Sequence, residues 1–380
     1  MPKQTPKTGP PEHSGSSSDP AGPARAATPS ADRGSLLSRL LKVLLAGFAT
    51  LVLFEVVGQT LVFRDKLYFV NDVDHRMEPF SAEDVNSDGI RSRVEAPSFP
   101  AEDRNIVFLG DSFVYGFRLE IEESLPYQLE SIARERHPGQ RINVANFGWI
   151  SSSPILSERL LRDLGAKYNP DVVILGLDMS DFEDEAKYRR LLERPGIYQL
   201  LHVAPISFLA GKRILRKVGP LQPLHEEVFG YPARRFFVTA HPREEVAAYY
   251  DEVRQSLDRL AATSAELGAR FLLVVFPRNY QYSDRESPNN WEGHHYEVLG
   301  PYAHEPFEYF EELRSEVDYP IYSLLEDFEQ TEVFPTCLEF DPHWTPAGAR
   351  VAAEAVYEDC LAAGCFGPTE ERETLDEGKP

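Results

Sequence analysis

Short apolar runs alternate with stretches of helical periodicity downstream of residue 104. Such runs are typical of strands buried on both faces of a parallel sheet, and apolar residues three and four positions apart are typical of helices packed on it. Strands are predicted at residues 105–110, 141–146, 171–177, 270–276 and 321–325. Helices are predicted at residues 124–137, 156–168, 244–267 and 346–361. The alternation predicts an α/β fold with a parallel sheet covered by helices on both faces.

Two long insertions interrupt this pattern, at about residues 182–243 and 277–318. Each follows a predicted strand, and sheets of this kind bind ligands in the loops beyond the carboxyl ends of their strands. We therefore expect both insertions to face the substrate or to close over it. Residues 64–104 have no regular period and are predicted to be a connecting segment before a domain that spans residues 105–365.

An apolar segment at residues 36–63 precedes the connecting segment. From Val43 to Phe63 only Glu55 carries a charge, and this length matches a bilayer core of about 30 Å. Basic residues precede the segment, which favours a cytoplasmic N-terminus and an extracytoplasmic domain, either periplasmic or at the cell surface. We predict an uncleaved transmembrane anchor. A signal peptide cleaved after Gly58 and a buried core helix are the alternatives.

The charge of the chain is strongly negative. Lys and Arg number 39 against 61 Asp and Glu, which gives a net charge of −22. The first 58 residues carry +2, so the remainder carries −24. Because phosphate binding needs a basic face, we expect no nucleic-acid partner. The Pro- and Ser-rich residues 1–33 and the acidic residues 366–380 are predicted to be disordered tails.

Two short motifs carry candidate catalytic chemistry. Ser112 directly follows the first predicted strand, where ligands bind in a parallel sheet, and Asp341-Pro-His343 precedes the last predicted helix. Serine is a weak nucleophile that needs a neighbouring base, and an aspartate orients and charge-stabilises a histidine in that role. The end of the first strand and the start of the last helix lie at the same edge of such a sheet. We predict Ser112 as nucleophile, His343 as general base and Asp341 as its partner.

The sequence resembles the SGNH (GDSL-type) hydrolase superfamily, above all its membrane-anchored bacterial branch. The resemblance covers roughly residues 60–362 and implies a flavodoxin-like three-layer α/β/α sandwich. It also implies ester hydrolysis, or sometimes acyl transfer, through an acyl-serine. The motifs that carry it are Asn86-Ser-Asp-Gly-Ile-Arg91, Gly110-Asp-Ser112, Asn146-Phe-Gly148, Pro170-Asp-Val-Val-Ile-Leu175 and Asp341-Pro-His-Trp-Thr-Pro-Ala-Gly348.

The same resemblance implies an oxyanion pocket, in which this chain departs from the family. The N–H of Ser112 is the first donor, and Gly148 lies in the block that carries the second. Ser151 stands where the family usually has a glycine, and Ser180 where it usually has an asparagine. Loss of one oxyanion donor typically costs about 2.7–4 kcal/mol in the barrier. The two serines are therefore candidate donors and also the motive for considering a catalytically degenerate domain.

No cofactor and no metal are expected. No G-x-G-x-x-G motif follows a strand, which argues against a dinucleotide. Residues 84–95 match a calcium loop in part, but Arg91 and Pro97 do not fit it, and a turn is the simpler interpretation. His294, His295 and His304 are interpreted as surface-loop histidines.

These observations predict a membrane-anchored, extracytoplasmic serine ester hydrolase. Its expected substrate is an acylated glycan or another ester, on O-acylated envelope or polysaccharide material, and its membrane contact is the N-terminal helix. Two alternatives remain open. One is an O-acyltransferase that passes the acyl group from the same serine to a saccharide hydroxyl. The other is a degenerate domain that binds a glycan or a partner protein.

Overall fold

The computed structural model of the chain describes residues 33–62, 84–193, 204–229 and 235–367. The chain divides into two compact units, one ending at Val52 and the other beginning at Leu53. Most of both predicted tails, and residues 63–83 of the predicted connecting segment, lie outside the described residues.

The apolar segment near the N-terminus forms a helix, α1, at Arg33–Val57, which continues as a π-helical turn at Gly58–Val62. Within the described residues, Leu37–Thr60 is the one stretch that is long and apolar enough to cross a membrane. Its leucine, valine and phenylalanine side chains are exposed from Leu37 to Phe54. Exposed apolar area in water costs about 25 cal/mol per Å², so the composition of this helix matches a lipid environment.

A five-stranded, wholly parallel sheet forms the centre of the second unit. The strands are β1 (Arg104–Gly110), β2 (Ile142–Gly148), β3 (Val172–Leu177), β4 (Arg270–Val275) and β5 (Ile321–Ser323). Their spatial order is β2-β1-β3-β4-β5. This is the doubly wound, flavodoxin-like order, which confirms the predicted fold class.

Helices surround the sheet and fill both insertions. Those of the α/β pattern are α2 (Ser112–Tyr115), α3 (Leu125–Arg136), α4 (Pro154–Leu164), α9 (Arg243–Glu266), α12 (Leu325–Gln330) and α13 (Pro346–Ala362). Those of the insertions are α5 (Asp181–Leu192), α6 (Pro205–Lys217), α7 (Gln222–Phe229), α8 (Phe237–Ala240), α10 (Asn279–Tyr282) and α11 (Glu305–Leu313). The sequence pattern predicted none of the insertion helices.

Two hydrophobic layers lie on the two faces of the sheet. Because side chains alternate along a strand, Val107 and Leu109 of β1 pack with α4 and α9, and Ile106 and Phe108 pack with α3 and α13. All four side chains are fully buried. This two-sided burial explains why the strands appear in the sequence as continuous apolar runs.

Residues 84–103 are more than a connection, because they are held against the domain by buried polar contacts. Arg91 is 4% exposed and donates to the carbonyls of Tyr115, Gly116 and Leu119 at 2.6–2.7 Å. Asp88 accepts from Lys167 at 2.5 Å. These contacts belong to a folded turn that braces the loop after α2.

The three cysteines, Cys337, Cys360 and Cys365, are buried thiols. Cys360 lies in the last turn of α13, and Cys365 follows the helix. A hydrogen bond with Cys365, together with burial, raises the pKa of the Cys360 thiol. The Cys360 thiol is therefore disfavoured as a thiolate, and both buried cysteines contribute to packing around the end of α13.

Replacing Arg91 by Met should lower the free energy of unfolding by about 2–4 kcal/mol, because three carbonyl groups lose a charged donor. Urea denaturation of the full chain in detergent measures the change. Arg93→Met is the matched control, since the Arg93 side chain is 51% exposed and pairs with Asp84 and Glu122 at the surface. Its effect should stay within about 1 kcal/mol. Equal losses in the two variants would contradict a bracing role for Arg91.

Candidate active site

Ser112 lies immediately beyond the carboxyl end of β1. The preceding Asp111 caps α2, and its Oδ1 accepts from the N–H of Phe113 at 2.8 Å. This cap starts a helix two residues after the strand ends, so Ser112 is held in the first turn at the sheet edge. Ser112 is 8% exposed.

His343 is presented to Ser112 by a short antiparallel turn before α13. Cys337 and Trp344 pair across this turn, and the N–H of Leu338 donates to the carbonyl of His343 at 2.9 Å. His343 Nε2 lies 2.7 Å from Ser112 Oγ, and its Nδ1 is hydrogen-bonded to Asp341 Oδ1. The three predicted residues therefore form one continuous hydrogen-bonded chain.

The second insertion braces this histidine turn. The carboxylate of Glu286 accepts from the N–H of Thr336 at 2.7 Å and from the N–H of Cys337 at 3.1 Å. Ser287 Oγ donates to the carbonyl of Leu338 at 2.6 Å. Glu286 is itself buried, so its contacts are shielded from water. The insertion that was expected to face the substrate thus also positions the turn that bears His343.

The guanidinium group of Arg118 also contacts the Asp341 carboxylate. Arg118 Nε donates to Asp341 Oδ2 at 2.8 Å, on the oxygen that His343 does not use. Burial alone would raise the pKa of Asp341, but hydrogen bonds from His343 and Arg118 hold it below the ordinary value. The Arg118 side chain is 59% exposed, so solvent screens its charge and its contribution is mainly one of orientation. No sequence motif indicated Arg118.

Aromatic rings enclose the histidine. The ring centroids of Phe113 and Phe117 lie 5.1 Å and 4.9 Å from that of His343. His343 is 8% exposed and Asp341 6% exposed. Exclusion of water strengthens the hydrogen bonds of the chain because the local dielectric constant is low.

An ion network lies beside the serine. Arg278, which follows β4 and is 2% exposed, donates to Asp178 Oδ2 at 2.6 Å and to Glu292. Its guanidinium carbon lies 5.0 Å from the centre of the Phe113 ring. Asp178 follows β3 and is fully buried. Neither residue belongs to a motif recognised in the sequence, although Asp178 directly follows one predicted strand and Arg278 lies two residues after another, at the ligand-binding edge.

Three carboxyl groups meet next to this arginine. Oxygens of Asp111, Asp178 and Asp181 all lie within 4.8 Å of one another, and Asp111 Oδ2 lies 3.1 Å from Ser112 Oγ. Burial, and then the charge of Asp178, raises the pKa of Asp111, while burial and both neighbours raise that of Asp181. Burial opposes ionisation of Asp178 too, but Arg278 lowers its pKa overall. The cluster therefore favours the protonated forms of Asp111 and Asp181 and the charged form of Asp178.

Within the described residues, these three aspartates are the one group of side chains placed closely enough to ligate a metal ion. Arg278 already supplies a positive charge to Asp178. The histidines of the second insertion are arranged differently. His294 and His295 stack on each other, and His304 Nε2 lies 2.7 Å from the carbonyl oxygen of Gln281.

The predicted oxyanion residues lie at the same edge. Gly148 ends β2, and a Cβ there would lie 2.3 Å from the nitrogen of Tyr115, so only glycine allows α2 to approach. Ser151 has φ of +54°, in the left-handed region that favours glycine. Among the described residues, the N–H groups of Ser112 and Ser151 donate to no other group. Both are free to bind a substrate oxygen.

Ser180 is placed differently. Both its hydroxyl and its N–H donate to Asp178 Oδ1 at 2.6 Å. Its hydroxyl proton is therefore engaged by a charged acceptor, which competes with any role toward an oxyanion.

A serine after β1 and a histidine turn before the last helix, on a sheet of this strand order, form the arrangement expected from the resemblance to SGNH hydrolases. No protein-family model and no curated protein matches the chain. Among solved structures, TesA is 15% identical, over 68% of this chain and 99% of TesA, with a TM-score of 0.38. A putative lipolytic protein of the G-D-S-L family from Desulfitobacterium hafniense is 12% identical, over 67% and 99%, with a TM-score of 0.35.

A catalytic mutant of Axe2, an acetylxylan esterase from Geobacillus stearothermophilus, is 14% identical over 69% of this chain and 95% of that chain, with a TM-score of 0.38. These are distant likenesses of fold. The chemistry proposed for this chain is derived from its own residues.

Replacing Asp181 by Asn should make stability less dependent on pH. A carboxyl whose pKa is raised on folding binds a proton that the unfolded chain has lost, so stability falls as pH rises through the raised pKa. Between pH 5 and pH 8 the wild type should lose at least about 1 kcal/mol more unfolding free energy than the variant. Urea midpoints at both pH values measure this. Exposed Asp251→Asn should behave as the wild type, and the same slope in Asp181→Asn would contradict the proton-sharing cluster.

Proposed function

We propose that this protein is a serine ester hydrolase of the SGNH type that works through an acyl-serine. The observation that carries the proposal is the continuous hydrogen-bonded chain from Ser112 through His343 to Asp341. A nucleophile in contact with a base, and a base in contact with an orienting carboxylate, is the geometry required for nucleophilic catalysis by serine. The burial of these three residues among aromatic rings favours a catalytic role over a purely structural role in a surface turn.

In the proposed reaction, Ser112 Oγ attacks the acyl carbonyl while His343 Nε2 accepts its proton. The negative charge of Asp341 stabilises the imidazolium that forms. The N–H groups of Ser112 and Ser151 donate to the carbonyl oxygen as it becomes an anion. The protonated histidine then gives its proton to the departing alcohol, and a water molecule activated by His343 releases the acid from the serine.

Asp111 affects this proton transfer, because Ser112 Oγ has two acceptors within reach. His343 Nε2 lies at 2.7 Å and Asp111 Oδ2 at 3.1 Å. Burial, and then the charge of Asp178, raises the pKa of Asp111, which weakens its carboxyl group as a competing acceptor. The shorter contact with His343 therefore keeps the serine proton directed at Nε2.

The substitutions at Ser151 and Ser180 favour a slower enzyme rather than a degenerate one. Ser151 keeps the backbone conformation of a glycine and an available N–H. The Ser180 hydroxyl is bound to Asp178, so we infer a pocket with two donors instead of three. The missing donor costs about 2.7–4 kcal/mol in the barrier, and the hydrogen-bonded chain is unaffected.

We further propose that the protein is anchored by α1 with its N-terminus in the cytoplasm. The basic residues before the helix and the acidity of everything after it support this orientation. A domain outside the membrane would meet O-acylated envelope or polysaccharide material, and an acylated glycan is therefore the proposed substrate class.

A fluorophosphonate should label Ser112 stoichiometrically in the full-length protein, because only an activated serine reacts. Labelling should disappear in Ser112→Ala and in His343→Ala, and Asp341→Asn should slow hydrolysis of p-nitrophenyl acetate by about 10³–10⁴-fold. Mass spectrometry of the digested protein locates the adduct. An unlabelled Ser112 in folded protein would exclude both hydrolase and acyltransferase chemistry.

Ser180→Ala serves as the matched serine control for this experiment. If the Ser180 hydroxyl serves only Asp178, labelling persists and the rate changes little. A loss of about 10²–10³-fold would instead identify Ser180 as an oxyanion donor. Acetate release compared with acyl transfer to added saccharide separates hydrolase from transferase.

The anchor should be retained in mature protein, because Glu55 on α1 is hydrogen-bonded to residues 206 and 207 of the domain. Intact mass and N-terminal sequencing of membrane-extracted protein should show residue 58 still joined to residue 59. A membrane-impermeant maleimide should label Leu361→Cys from outside intact cells, since Leu361 is 49% exposed and the native cysteines are buried. Cleavage after Gly58, or labelling only after lysis, would contradict the topology.

A further inference from the structure

The helix pair α6–α7 carries a charge and an apolar surface unlike those of the rest of the chain. Residues 205–229 contain Lys212, Arg213, Arg216 and Lys217, all on α6, against Glu226 and Glu227 on α7, so the pair carries a net charge of +2. The remainder of the chain after residue 58 is strongly acidic. Because opposite charges attract, this basic segment favours an anionic partner.

Large apolar side chains are exposed on the same segment. Ile214 on α6 is 54% exposed, Val218 and Leu221 in the turn that follows are 42% and 36% exposed, and Leu224 on α7 is 46% exposed. A helix that combines exposed apolar residues with Lys and Arg is typical of elements that lie in a membrane interface. There the apolar side chains enter the lipid and the basic groups reach the headgroups.

The structure joins α6 to the membrane-spanning helix through Glu55. Its carboxylate accepts from the N–H of Ile206 at 2.9 Å, and from the N–H and Oγ of Ser207 at 2.8 Å and 2.7 Å. The two N–H groups belong to the first turn of α6, where a negative charge is stabilised by the helix dipole. Gln59 Nε2 also donates to Glu55 at 2.8 Å, so a carboxylate that is unfavourable in a membrane helix has four donors and is only 8% exposed.

Close packing fixes the point along α1 at which α6 is attached. A Cβ at Gly58 would lie 2.9 Å from Ile206 Cγ1, so α1 and α6 are in direct contact there. Glu55 precedes Thr60, the end of the candidate span, by five residues, or roughly 7.5 Å along the helix axis. That depth matches the roughly 5–10 Å to which the apolar faces of interfacial helices enter the boundary between headgroups and acyl chains.

We propose that α6 and α7 lie in the surface of the bilayer that α1 crosses, with anionic phospholipid headgroups as the partner of the four basic residues. The inference rests on the proposed membrane anchor and is independent of the esterase chemistry. The attachment to α1 selects lipid as the occupant, because a helix held near the end of a membrane span lies beside the bilayer, where both its apolar side chains and its basic groups find partners. The two helices would fix the orientation of the domain relative to the membrane.

Full-length Val218→Cys, labelled with an environment-sensitive fluorophore and inserted into nanodiscs, tests this. In discs that contain phosphatidylglycerol, lipids bearing a quencher in their acyl chains should quench the label severalfold more than the same label at Leu361→Cys. Both positions are exposed and apolar, and the native cysteines are buried. Hydrolysis of p-nitrophenyl acetate or circular dichroism checks that each variant is folded.

A variant that lacks three of the four basic charges measures the electrostatic contribution to lipid contact. Arg213→Gln combined with Arg216→Gln and Lys217→Gln should reduce the quenching at position 218 severalfold. The reduction should be smaller in discs of phosphatidylcholine alone. Glu55→Ala should also reduce it, because α6 loses its attachment to α1.

Three results have distinct meanings. A chain that incorporates into discs while position 218 stays as water-accessible as position 361 overturns this inference and leaves the anchor intact. A chain that does not incorporate overturns the anchor itself. A label at 218 that is shielded from water but not quenched by lipid identifies a second copy of the chain as the occupant and also overturns the inference.

Discussion

The buried guanidinium of Arg278 is the interaction on which the site depends. It neutralises Asp178, contacts Glu292 and lies over the ring of Phe113, which in turn packs against His343. Without it, Asp111, Asp178 and Asp181 would be buried next to one another with no cation in contact, and removing one partner of such a pair typically costs about 3–5 kcal/mol. The network therefore allows acidic groups to be packed beside the serine.

The parallel sheet brings the parts of this site together. Ser112 follows β1, Ser151 lies beyond β2, Asp178 follows β3 and Arg278 follows β4. Because all four strands run in one direction, their carboxyl ends meet at one edge. His343 reaches the same edge from the start of α13, in a turn held by Glu286 of the second insertion. The second insertion thus lies among the loops at the ligand-binding edge and also holds the turn that positions His343.

The sign of the charge differs between the domain as a whole, which suits water, and the segment that contacts α1, which suits a membrane surface. The domain is strongly acidic, whereas the segment that receives Glu55 is basic and apolar. The same carboxylate that weakens α1 as a membrane helix is satisfied by the first turn of α6. A residue that is unfavourable when α1 is considered alone thereby becomes the link between the anchor and the domain.

The sequence by itself determined the sheet, most helices around it and the positions of Ser112, Asp341 and His343. Burial on both faces leaves continuous apolar runs, and reactive residues at strand and helix ends leave short local motifs. Arg278, Arg118, Glu286 and the engagement of Ser180 by Asp178 were decided by tertiary structure. Arg118 and Asp341, Arg278 and Asp178, and Glu286 and Thr336 pair across long stretches of sequence, and no local periodicity records such pairs. Ser180 and Asp178 are two residues apart, but only the folded backbone turns the hydroxyl toward that carboxylate. An isolated charged residue has the same appearance in sequence whether it is solvated or buried in an ion network, because only the folded chain supplies its partner.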